Sequence, residues 1–193
     1  MADMNFVKIK QPTAMEICKS VEMGVEARQL LQNAALPSEY LQQLLDHELY
    51  PDAIRFLAAA LPKREAIWWA CQCARSNCGE QPSESDKKAI ELAEAWVYKP
   101  TDENRLPTMT AATETEFKTA AGWAAIAVFW SGGNISTVQN STVEPAENLF
   151  VKAIVGSVTL AAVQDDAEKI KTNYQLCMKK GIDIACGGTG KIV

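Results

Sequence analysis

The densest group of reactive side chains in this sequence is Cys71, Cys73 and Cys78. Cysteines this close suggest zinc, but a structural zinc ion takes four Cys or His ligands converging as a tetrahedron. On a helix, Cys71 and Cys73 point about 200° apart. Cys71 and Cys78 share a face but lie about 10 Å apart along it, too far for a disulfide. The three therefore read as buried structural thiols, because a free cysteine behaves as a small hydrophobe. Cys177 and Cys186 would pair only if the chain turned back at Gly181.

His47 is the only histidine, so a Ser–His–Asp or Cys–His arrangement would have to use it. It stands in Leu45-Asp46-His47-Glu48, at the end of a short amphipathic segment, where the helix dipole favours a surface histidine. Gly187-Gly188-Thr189-Gly190-Lys191 has the composition of a phosphate loop but not its spacing. Ile192 and Val193 follow the lysine, leaving no room for the helix whose amides would hold a phosphate. The carboxylate pairs Asp165/Asp166 and Glu114/Glu116 fall at expected helix starts, where capping and the dipole account for them.

Five tryptophans, Trp68, Trp69, Trp96, Trp123 and Trp130, suggest either a ligand cage or binding hot spots. The simpler account for most of them is a core in which each indole N–H finds one acceptor. Trp68 and Trp69 are adjacent and on a helix point about 100° apart, which puts one of them nearer the surface. No catalytic, cofactor-binding or metal-binding residue is assigned from these patterns, and the binding residues stay open.

The elements that would position these residues are helical. Residues 1–12 read as an N-terminal arm. Thr13-Ala14-Met15-Glu16 forms a capping box for a helix to Met23, with Gly24 ending it. Further helices are predicted from Val25 to Asn33, from Pro37, and from Pro51 to Leu61. Lys63 to Asn77 is apolar around most of its circumference, so it is expected to be the central, buried helix. Ser85 is expected to cap the next helix, which Pro100 closes. Residues 101–113 read as a connector or a short helical turn. A helix is expected from Glu114 to Trp130, and another from Pro145 to about Val163. A last helix is expected from Asp165, with Lys179 and Lys180 in its final turn and Gly181 as its stop. Residues 187–193 read as a flexible tail. The expected fold is all-α: a compact single-domain bundle of about eight to ten helices over residues 13–186, with little or no sheet.

Composition narrows the function classes. The chain has 193 residues, of which 48% are hydrophobic and 22% charged, so a packed domain is expected. Its net charge is −5, and its Lys and Arg residues are scattered, which argues against nucleic-acid binding. The apolar run Ala120 to Trp130 is too short to cross a bilayer, which takes about 20 residues. With no recognisable leader, a cytoplasmic protein with free thiols is expected.

Several separated blocks carry a resemblance. Ala60-Leu61-Pro62-Lys63-Arg64-Glu65-Ala66-Ile67-Trp68-Trp69-Ala70-Cys71 is one. Gly122-Trp123-Ala124-Ala125 with Phe129-Trp130-Ser131-Gly132-Gly133 is another. Lys152-Ala153-Ile154-Val155-Gly156-Ser157-Val158 and Gly181-Ile182-Asp183-Ile184-Ala185 complete the set. They resemble an uncharacterised family of small bacterial helical proteins. The resemblance implies a bacterial source, and some members are encoded near type VI secretion genes. It defines no functional residues. In that family the blocks surround a proline-rich connector, whereas residues 134–144 here are rich in Asn, Ser and Thr.

The sequence thus favours a non-catalytic adaptor or scaffold that binds another protein, linked to a bacterial secretion system, with no cofactor and no membrane insertion. A small-ligand-binding helical protein and an enzyme of unrecognised type are the alternatives.

Overall fold

The computed structural model describes residues 4–32, 35–76, 82–136, 141–146, 148–164 and 167–192. The early helices are α1 (Ala14–Cys18), α2 (Val25–Leu31), α3 (Pro37–Asp46), α4 (Tyr50–Ala60) and α5 (Lys63–Ser76). They are followed by α6 (Glu84–Tyr98), the one-turn α7 (Asp102–Arg105), α8 (Pro107–Glu114) and α9 (Ala120–Phe129). α10 (Leu149–Val163) and α11 (Ile170–Ala185) complete the order, with a 3-10 turn at Ala167–Lys169 between them. The fold is all-α, and no strand occurs among the described residues.

Local chemistry explains most of the starts. The Thr13 hydroxyl accepts the Glu16 N–H at 3.3 Å, as the capping box predicts. Proline sits in the first turn of α3, α4 and α8, where its missing N–H costs nothing. α5 is the central helix, packed against α6, α9, α10 and α11. Ile67, Trp69, Ala70, Cys71 and Cys73 on it are fully buried. α9 is apolar on all sides and correspondingly buried between α5, α6, α8 and α10.

Six local expectations are corrected. α1 stops at Cys18 rather than Met23, and Gly24 is the N-cap of α2, its N–H held by Asp52 Oδ1 at 2.8 Å. Ser83, not Ser85, caps α6, accepting the Asp86 N–H at 3.1 Å. Residues 101–113 supply two helices, α7 and most of α8.

The predicted 114–130 helix is broken. Glu116 and Phe117 both adopt left-handed backbone, at φ 53° and 54°, and Thr119 then caps α9 by accepting the Gly122 N–H. The Phe117 carbonyl in this turn accepts the Trp123 indole N–H at 2.8 Å, which fixes the break from outside. Finally, α10 begins at Leu149 rather than Pro145, and α11 runs through Gly181 to Ala185. Gly181 is there for a close approach, not for a stop: a Cβ on it would lie 2.7 Å from the indole of Trp69. Cys78, Asp165 and Asp166 lie outside the described residues.

Candidate interaction cleft

The offset between the adjacent tryptophans decides what α5 shows to solvent. Trp69 is fully buried and its indole N–H donates to the Cys177 carbonyl at 2.7 Å. Trp68 is half-buried on the rim, and its N–H donates to the Thr189 carbonyl, also at 2.7 Å. Arg64, one turn earlier on the same face, donates from Nε to the Val97 carbonyl at 2.9 Å. That bond ties α5 to the C-terminal turn of α6, where an orphan carbonyl needs a donor. It also brings Tyr98 beside Trp68, with ring centroids 5.9 Å apart at 67°. Tyr98 is 70% exposed, the most open large hydrophobic residue among the described residues.

The opposite wall comes from the segment after α11. Gly187 and Gly190 adopt positive φ, 94° and 69°, so the chain doubles back over Ile184. Asp183 holds the turn: its backbone carbonyl accepts the Gly188 N–H and its carboxylate the Gly190 N–H, both at 2.8 Å. Lys180 is buried, at 4% exposure, and donates to the carbonyls of Gly190 at 3.4 Å and Ile192 at 3.0 Å. The tail residues 187–192 are thus bound along α11. The N-terminal arm joins them, with the Lys8 N–H donating to the Ala185 carbonyl at 3.0 Å and Lys8 Nζ 3.4 Å from Glu65.

These three parts enclose a cleft of about 430 Å3. Trp68, Val97 and Ile184 form its apolar part, and Tyr98 stands beside them. Lys8, Arg64 and Lys191 contribute three cations against one carboxylate, Glu65, which Lys8 already partners. The Lys191 ammonium lies 5.9 Å from the Trp68 ring centroid, in cation–π range. Among the described residues Arg64 and Lys191 form no ion pair. Among the described residues no cysteine, serine, histidine or aspartate lines the cleft; its ionisable and hydroxyl side chains are Lys8, Arg64, Glu65, Tyr98, Thr189 and Lys191.

The remaining candidates fall elsewhere. The 187–191 loop follows the C-terminus of a helix, and the amides of Gly187, Gly188 and Gly190 are taken by Ile184 O, Asp183 O and Asp183 Oδ2. It is a strap on α11, not a phosphate cradle. His47 is the exposed C-cap of α3. Because α11 continues through Gly181, Cys177 and Cys186 lie on one rod, and Cys177 instead meets Cys73, with which it shares a sulfur hydrogen bond. Burial pushes the Cys71 and Cys73 thiols up, away from the reactive thiolate. No group of three His, Cys, Asp or Glu side chains is placed to hold a metal among the described residues. A second concavity, about 490 Å3, lies between the Ser20–Gly24 turn, Arg55 and the start of α10. Its apolar lining is aliphatic, and its Arg55 is paired with Asp52 at 3.0 Å.

Sequence reasoning did not single out Lys8 or Tyr98; Arg64 entered only within the Ala60–Cys71 block, and Lys191 only as part of the rejected phosphate loop. Only the i, i+4 placement of Arg64 and Trp68 on one helix face was available as a signal.

The architecture is that of an all-helical domain whose exposed chemistry is an aromatic and cationic cleft. The chain belongs to DUF6931, a family of unknown function, which it matches over residues 40–185. No curated protein and no solved structure matches it. No helix among the described residues is long and apolar enough to cross a membrane.

Proposed function

We propose that this protein is a non-catalytic interaction adaptor that receives another protein at the Trp68–Tyr98 cleft. The observation that carries the reading is the aromatic pair of half-buried Trp68 and exposed Tyr98, held on a fixed frame. Trp68 is tied to Thr189, Arg64 to Val97, and the strap to Asp183 and Lys180. Tryptophan, tyrosine and arginine are the residues on which binding energy concentrates, and a preordered frame reduces the entropy lost on docking. Two of the sequence blocks, Ala60–Cys71 and Gly181–Ala185, meet at this cleft. Their resemblance to bacterial proteins encoded near type VI secretion genes makes a cytoplasmic component of a secretion apparatus the first partner to test.

The test is site-specific photo-crosslinking in the native cells, with a photoreactive side chain at Tyr98 and, as a remote control, at His47. A stoichiometric partner trapped from position 98 but not from position 47, and lost in Trp68→Ala, is the expected result. The same products from both positions, or none from position 98 under any growth condition, would overturn the proposal.

A further inference from the structure

The charge of the cleft points to the chemistry of its occupant. The chain as a whole carries −5, yet the cleft lining gathers Lys8, Arg64 and Lys191 against Glu65, with the Asp183 carboxylate bound to the strap behind it. A cationic rim on an acidic molecule is a local field, felt within about a Debye length of 10 Å at 0.1 M salt. Beside it lies an apolar strip of Trp68, Val97 and Ile184, with Tyr98 standing free. Complementarity then asks for a short segment carrying several carboxylates around one aromatic or aliphatic side chain. That anchor would pack against Trp68 and Tyr98 while the carboxylates reach Arg64 and Lys191.

The two cations are suited to this in different ways. Arg64 keeps guanidinium nitrogens beyond the Nε that holds Val97, and a guanidinium fork matches a carboxylate. Lys191 sits on the strap at 5.9 Å from the Trp68 ring, so an arriving carboxylate meets an ammonium already placed over the apolar strip. A long polyanion fits less well. A nucleic acid gains affinity by neutralising many phosphates, and beyond this rim it would run over a surface of net negative charge.

Resting on the adaptor reading above, we infer that the cleft is a docking site for an acidic linear segment of a partner protein with a central aromatic or aliphatic anchor. The experiment is selection of displayed random dodecapeptides on the full chain, with the Trp68→Ala chain as counter-selection. Selected peptides are then synthesised and measured by fluorescence anisotropy. Because Trp68→Ala also loosens the strap, Lys191→Glu and Arg64→Gln serve as second variants.

The expected result is a Trp68-dependent set enriched in Asp and Glu around one large apolar residue. Its binding should weaken at least ~10-fold in Lys191→Glu and similarly between about 0.1 M and 1 M salt. A Trp68-dependent set without acidic enrichment, or insensitive to Lys191→Glu, would overturn the charge argument and leave the docking reading standing. No Trp68-dependent set at all would remove both. An oligonucleotide that displaces the peptides and binds more tightly than any of them would replace the acidic segment with a nucleic acid.

Discussion

Gly181 on α11 lies flat against the indole of Trp69 on α5, so closely that a Cβ there would come within 2.7 Å of Trp69 Cε2 and 2.6 Å of Leu57 Cδ2. The Trp69 N–H donates to Cys177, one turn earlier on the same helix. Helix α11 is therefore seated on α5 by this hydrogen bond and this missing side chain. In an ordinary helix interior, replacing glycine by alanine gains about 1 kcal/mol. Here the methyl meets a buried ring and a buried leucine, and overpacking of that kind costs about 1–3 kcal/mol. Gly181→Ala is expected to lower the free energy of unfolding in a urea titration. A gain would show that α11 can slide away from α5 at no cost.

The buried thiols set an alkaline limit. Burial is the main cause raising Cys18 from 9.0 to about 11, against a hydrogen bond with Tyr40 that lowers it. Burial likewise raises Cys71, with Glu94 adding to the effect, and Cys73, with its hydrogen bond to Cys177 adding. The folded chain keeps these protons while the unfolded chain gives them up near 9. Their contribution is thus complete below about pH 9 and is lost as pH rises, through about 11 for Cys18 and higher for the other two. Above pH 9 each fully buried thiol steepens the decline by about 1.4 kcal/mol per pH unit. Urea titrations of the reduced protein should show little change due to these groups below pH 9 and a fall above it. Cys71→Ala should flatten that fall. In the native state a thiol reagent should modify the partly exposed Cys186 before Cys71, Cys73 or Cys177.

How much of this was legible follows from the range of the interaction involved. The Thr13 cap, the prolines of α3 and α4, and the burial of α5 are local or periodic, and the residues announce them. The break between α8 and α9 was not legible, because left-handed Glu116 and Phe117 have no glycine to mark them. The turn is held by the Trp123 indole and by the Thr119 hydroxyl donating to Asp86 at 2.6 Å, a contact 33 positions away. Gly181 failed for the related reason that a glycine kept for helix contact looks the same in sequence as one kept for a helix end. The cleft joins Lys8, Arg64, Tyr98 and Lys191 across nearly the whole chain, and no spacing rule reaches that far.

Arg105 tests one of these long-range ties. Its side chain is 4% exposed, with Nε 2.8 Å from Asp102, Nη1 3.0 Å from the Phe129 carbonyl and Nη2 3.3 Å from the Asn134 carbonyl. It lies 5.4 Å from the Phe129 ring centroid as well. One guanidinium thus closes the end of α9 and the start of the following loop against α7. Arg105→Met keeps much of the bulk and leaves the carbonyls without this donor, a loss of about 2–3 kcal/mol. Arg105→Lys supplies a charge but not the fork, so it should recover less than half of that loss in urea unfolding.

The two adjacent tryptophans should separate stability from binding. Trp69 is fully buried among α5, α11 and Leu57, and Trp69→Ala should cost about 3–5 kcal/mol, as truncation of a large core side chain does. Trp68 touches Tyr98, accepts the approach of Lys191 and bonds only to the strap carbonyl of Thr189. Its removal takes away part of the cleft and one tie of the strap, while Asp183 and Lys180 still hold the remainder. Trp68→Ala should therefore cost about 1–2 kcal/mol, within the range of an ordinary substitution. The added loss should appear as faster proteolysis at residues 187–192 rather than as a large shift of the global transition. Equal destabilisation by the two substitutions would show that the strap and Trp68 are part of the core, and would weaken the case for a surface kept open for a partner.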